Sequence, residues 1–140
     1  MASYLPQYDG YLSYFLLYSS SAAMIHSLVC YLKPPQTSLR AFSGPSAGAS
    51  LHNSNGGLLA RVYGVKNVYT GLIRAYAAYH LANGPVYDLA MCTFAGVLFL
   101  YATELGVYGT VRLREAAVPF VTSGAGLLWM GLQRGSYVVG

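Results

Sequence analysis

Four apolar stretches, separated by helix breakers, set the pattern of this chain. Gly10–Leu32 carries no formal charge and is bounded by Asp9 and Lys33. At about 1.5 Å rise per residue, a helix over it outreaches the roughly 30 Å hydrocarbon core of a bilayer. Pro34 and Pro35 end it, because proline cannot continue a helix. Leu58–Leu81 is less pure, being interrupted by Arg61, Lys66 and Arg74. Val86–Tyr108 holds Asp88 at its mouth and Glu104 near its end. Only Ala82–Pro85 separates these two runs, which predicts a tight turn and an antiparallel hairpin. Ala116–Leu132 is uncharged and ends at Gln133 and Arg134, at the short end for a membrane span. Lys33–Gly57 is rich in Pro, Gly, Ser and Asn, the composition of a flexible or partner-ordered surface loop. The pattern predicts an all-α integral membrane protein with four transmembrane helices in a small bundle. The helices fall at about 10–32, 58–81, 86–108 and 116–133, in a single membrane domain over 1–140 with a flexible loop at 33–57.

Composition strengthens that picture. Hydrophobic residues make up 55% of the chain and charged ones 9%. Soluble domains carry about 25% charged residues, so a water-facing surface could not be covered. The net charge of +4 comes from eight Lys and Arg, most of them at the ends of apolar runs. That placement suits lipid headgroups and excludes a nucleic-acid stripe. Many of the 14 tyrosines also lie near run ends, as in an interfacial aromatic belt. Met1–Gly10 has no cation, so the first run is expected to be an uncleaved span rather than a signal peptide. The longer loops hold Lys33, Arg40, Arg112 and Arg114. The excess of positive charge there predicts that they face the cytosol and that both termini face the lumen.

Little in the chain suggests catalysis. His26, His52 and His80 are far apart, Cys30 and Cys92 lie inside apolar runs, and the serines have no nucleophile-elbow context. No enzyme, metal or cofactor is expected. The ionisable residues inside the runs are the informative ones, because charge in lipid is costly and needs a partner. In a hairpin centred near Pro85, Glu104 falls level with Lys66 and Arg74 level with Gly96. A Lys66–Glu104 pair is therefore expected to fix the hairpin. Arg61, near a helix end, is expected to snorkel. Arg74 has no opposite charge at its level. It is expected either to reach toward Asp88 at the turn or to contact a partner outside the chain. Trp129 fits an interfacial anchor, and the small residues Ser123, Gly124, Ala125 and Gly126 fit close helix packing.

Five segments, in order, resemble the ergosterol biosynthetic protein 28 family of fungi. They are Ala60-Arg61-Val62-Tyr63-Gly64, Ile73 to His80, Pro85 to Ala90, Thr103-Glu104 with Val107 to Arg112, and Pro119 to Met130. The resemblance covers roughly residues 58–137. The first 57 residues match only in kind, as one span and a loop. This chain has Lys66-Asn67 where family members usually have Trp-Thr, and Leu100-Tyr101 where they commonly have His-Phe. The resemblance implies a multi-pass endoplasmic-reticulum protein without catalytic activity. It is similar to a tether for the sterol C-4 methyl oxidase, the 3β-hydroxysteroid dehydrogenase/decarboxylase and the 3-keto sterol reductase. Arg61, Arg74, Tyr76, Tyr79, His80, Glu104 and Trp129 then become candidates for contacts within the bundle or with those enzymes. The alternative is a small transporter, or an accessory subunit of another membrane complex, using Arg74 and Glu104.

Overall fold

The computed structural model describes residues 4–47 and 54–139, and among them every regular element is helical. Four long helices, α1 (Leu12–Leu32), α3 (Ser54–Tyr79), α4 (Gly84–Gly106) and α5 (Leu113–Tyr137), form the body. A short helix, α2 (Pro35–Ser38), and a 3-10 turn over Arg40–Phe42 follow α1. Of these, α1 and α4 are long and apolar enough to cross a membrane. The other two long helices are more polar.

The segment after α1 departs from the flexible loop expected over 33–57. Pro35 occupies the first turn of α2, where a missing N–H costs nothing. The chain then pairs with the α4–α5 connection. Gly44 N–H donates to the Thr110 carbonyl at 2.7 Å, and Arg112 N–H to the Ala41 carbonyl at 3.1 Å. Gly109 sits at a φ of +66°, and a methyl group on Gly44 would lie 2.6 Å from the Thr110 carbonyl carbon. Close backbone approach, rather than looseness, explains the glycines of this segment. Residues 48–53 lie outside the described ones, and α3 begins at Ser54.

The hairpin turn is where breakers place it. Asn83 caps α4 by accepting from Val86 N–H, with proline in the first turn. Both ends of the described chain, Tyr4 and Val139, gather at this end of the bundle. Tyr79 Oη donates to the Tyr4 carbonyl, Tyr137 Oη to the Asp9 carbonyl, and Arg134 grips Asp88 with two hydrogen bonds of 2.7 Å. Arg134 lies past the apolar run, and the Asp88 carboxylate raises its pKa.

The tightest contact is between α1 and α3. Ser20 Oγ donates to the Gly71 carbonyl at 2.7 Å, and Ser27 Oγ to the Gly64 carbonyl at 2.9 Å. The two pairs lie one heptad apart on antiparallel helices, so small residues face each other along a continuous seam. In the same register the next pair is Ser13 with Ala78, both buried. There the methyl replaces a glycine hydrogen, and Ser13 Oγ has no partner.

The polar content of α3 is sorted by face. Leu58, Val62, Val65, Tyr69, Leu72 and Tyr76 alternate three and four apart, and each is at least 41% exposed. Asn67, Thr70 and Arg74 are buried toward the other helices. The ordinary rule for a soluble amphipathic helix is thereby reversed. On α5, Val118, Val121, Leu128 and Leu132 make a comparable outward stripe. Inside, Leu12, Leu16, Tyr87, Phe94 and Met130 form the core near the termini. Phe15 and Phe94 close on Gly126, whose lack of a side chain leaves room for both rings. Gly124, by contrast, faces open space.

Candidate functional site

Buried polar side chains converge on a cavity of about 340 Å³ between α1, α3 and α5, capped by the 35–42 segment. Its most unusual occupant is Arg74, only 6% exposed. Arg74 Nε donates to Thr93 Oγ1 at 2.9 Å, and the guanidinium lies over the Phe94 ring at 3.8 Å from its centroid. A cation over a desolvated aromatic face gains about 2 kcal/mol or more. Nη2 is buried and has no hydrogen-bond partner.

Lys66, two turns earlier on α3, lies over the Tyr63 ring at 4.1 Å. The expected Lys66–Glu104 ion pair is absent. Between α3 and α4, Arg74 meets Thr93 near the turn, and farther out Tyr63 Oη meets Tyr101 Oη at 2.8 Å. Lys66 and Glu104 line a common cavity, but each takes a nearer partner. Glu104 instead accepts from the Thr110 hydroxyl, and its carbonyl accepts Thr110 N–H at 2.9 Å. It fastens the α4–α5 connection. The reach of Arg74 toward Asp88 fails as well, since Arg134 holds Asp88. Nor does Arg74 point outward to a partner; it points into the bundle.

The cap is tied down by a histidine network that the sequence did not disclose. His26 Nε2 is 2.8 Å from the Ser38 carbonyl, and its Nδ1 is 2.8 Å from Asn67 Nδ2. A carbonyl only accepts, so the proton sits on Nε2 and Nδ1 receives the Asn67 amide. Three elements, α1, α2 and α3, thus meet at one imidazole. Phe42 completes the lid by stacking on Tyr101 and meeting the Tyr63 ring edge-on. At the rim Arg40 pairs with Glu115 at 2.8 Å.

The remaining candidates lie elsewhere. Arg61 is exposed on the first half of α3. Tyr76 is exposed and stacks on His80 at 4.1 Å, beside Tyr79 at the turn end of the bundle. Trp129 is half-buried against Phe15. Arg74 and Glu104 line different cavities, so the structure does not bring together the two groups of the transporter alternative.

Comparison with known proteins gives a consistent result. Residues 12–128 match the sequence model of the family described as Erg28 like protein. The chain is 31% identical over 130 residues to ergosterol biosynthetic protein 28 of Candida albicans, covering 92% of this chain and 89% of that one. It is 28% identical over 118 residues to the Schizosaccharomyces pombe protein of the same name, covering 84% and 81%. To the Saccharomyces cerevisiae protein of that name it is 26% identical over 129 residues, covering 91% and 83%. No solved structure matches the chain.

Proposed function

The chain belongs to the Erg28-like protein family, and from that premise we propose that it serves ergosterol biosynthesis as a non-catalytic scaffold of the endoplasmic-reticulum membrane. The observation that carries this reading is the family match over residues 12–128. The relatives are named for ergosterol biosynthesis. As a scaffold the chain would hold together the sterol C-4 methyl oxidase, the 3β-hydroxysteroid dehydrogenase/decarboxylase and the 3-keto sterol reductase.

Four spans are part of the proposal. The outward apolar stripes of α3 and α5 support it, because lipid contacts the outside of a bundle and polar groups are tolerated inside. Lys33, Arg40, Arg112 and Arg114 lie at the end of the bundle opposite the termini. By the positive-inside rule that end would be cytosolic. Partner surfaces would then include the outward tyrosines Tyr69 and Tyr76 of α3, since rigid aromatic side chains supply much contact area at low entropic cost.

Deleting the gene tests the function. The expected result is slowed C-4 demethylation and accumulation of 4-methyl sterols, restored by the intact chain. A normal sterol profile in the deletion strain would remove the proposal. The purified chain alone is expected to turn over no sterol intermediate, and measurable oxidation, decarboxylation or ketone reduction would contradict the non-catalytic part.

A further inference from the structure

We propose that the cleft between α1 and α5 is a binding site for an amphipathic lipid carrying a carboxylate or phosphate, with Arg74 as the anchor of the anion. The site is not one the family name assigns, and it requires no partner enzyme.

The charge balance of the cavity is the first observation. Arg74 and Lys66 both line it, and neither has a carboxylate within ion-pair distance. Glu115 also lines it but is engaged by Arg40. An excess of positive charge is therefore buried beside aromatic rings. Burying a cation without a counter-charge is costly, and the cation–π contacts offset only part of that cost. Arg74 keeps one buried nitrogen, Nη2, without any hydrogen-bond partner. Guanidinium groups favour planar oxyanions, which they bind through paired N–H donors.

The shape of the cavity is the second. Its volume of about 340 Å³ falls in the range of small-molecule sites. Near the termini α1 meets α5 through Phe15 against Trp129 and Gly126. Farther along, the two helices part, and the cavity lies between Tyr18 and Ala22 on one side and Val118 and Thr122 on the other. Tyr18, Ala22 and Val118 are exposed on the outer face. The opening is thus lateral, toward the surface that the proposed topology gives to lipid, while Arg74 lies inside. An apolar body would occupy the cleft and its charged head would reach Arg74, with Lys66 adding attraction.

Purified full-length chain in phosphatidylcholine nanodiscs tests this by native mass spectrometry with four probes. These are cholesteryl hemisuccinate, oleate, phosphatidic acid and uncharged ergosterol. At least one anionic probe is expected to bind roughly tenfold or more tightly than ergosterol. Binding by the hemisuccinate alone identifies a sterol acid as the ligand type. Binding by all three identifies acidic amphiphiles in general. Arg74→Gln is expected to lose about tenfold or more of that affinity, and Arg74→Lys, which keeps the charge without the paired donors, to lose less than Arg74→Gln. Lys66→Gln, farther from the anchor, is expected to lose less. Where Arg74→Gln does not fold, Thr122→Leu narrows the cleft from α5 and is expected to weaken the same probe. Equal binding of ergosterol and every anionic probe, or unchanged binding by a folded Arg74→Gln chain, overturns the proposal. Because the assay contains no sterol enzyme, its result is separate from that of the deletion experiment.

Discussion

Helix α1 has two very different neighbours. Along α3 it is closed, with serine hydroxyls bonded to glycine carbonyls at heptad spacing. Along α5 it is closed only near the termini, by Phe15, Trp129 and Gly126, and then opens into the cavity that Arg74 and Lys66 line. In the proposed bilayer setting lipid tails would give no hydrophobic drive for helices to associate, so close packing and interhelical hydrogen bonds would have to do it. The α1–α3 seam has both. On the α1–α5 side Ser19, Ala22 and Ser123 are also small, yet they line the cavity instead of meeting, and there the bundle accommodates Arg74 and Lys66. Small size permits closure at the heptad positions of the seam, and the serine-to-carbonyl hydrogen bonds accompany it; small size alone does not close the side where charge is buried.

Overfilling the seam should have the largest effect. A methyl on Gly64 would already lie 3.0 Å from Cys30 Cβ and 3.1 Å from the Tyr31 ring. Gly64→Leu should cost at least about 1–3 kcal/mol, the usual range for overpacking. The measure is the melting temperature in detergent, and a wild-type value would mean that α1 and α3 are not in this contact. A smaller effect is expected for Ser20→Ala, which removes one interhelical hydrogen bond while leaving packing intact. Such bonds average about 0.6 kcal/mol in membrane proteins, so a loss of a degree or two is expected, and a collapse comparable to Gly64→Leu would contradict the role given to size. The smallest effect belongs to the open side. Ala22→Leu, on the exposed wall of the cleft, should change stability by less than about 0.5 kcal/mol. A large loss there would show that α1 and α5 are closer than the structure has them.

Much of the helical pattern was legible in the chain. The uncharged run Gly10–Leu32 and the run ending at Tyr108 correspond to α1 and α4, and Ala82–Pro85 marked the turn because Asn, Gly and Pro leave few alternatives. The 35–47 segment was not legible. Its glycines and prolines read as looseness, whereas Gly44 is there to let two backbones meet. The candidate site was only half readable. Arg74, Lys66 and Glu104 stood out as charges in apolar runs, but their partners are aromatic rings and hydroxyls rather than opposite charges, which charge matching along a hairpin does not find. Asp88 was matched only with Arg74, whereas Arg134, brought beside it by α5, holds it. The His26–Asn67–Ser38 network joins residues far apart in the chain, and composition alone carries no sign of it. The seam did leave a signal, since Ser13, Ser20 and Ser27 recur at heptad spacing, as do Gly64, Gly71 and Ala78.

We propose that α3 crosses the bilayer with its apolar face outward and its charges inward. Spin labels at Val65, Tyr69 and Leu72, and at Asn67 and Thr70, in a cysteine-free chain in lipid bilayers test it most directly through collision with oxygen and with a water-soluble nickel chelate. Labels at Val65, Tyr69 and Leu72 are expected to collide mainly with oxygen, which concentrates in hydrocarbon. Labels at Asn67 and Thr70 are expected to collide weakly with both, as buried positions do. Strong collision of Tyr69 and Leu72 with the nickel chelate would place α3 in water and contradict the account.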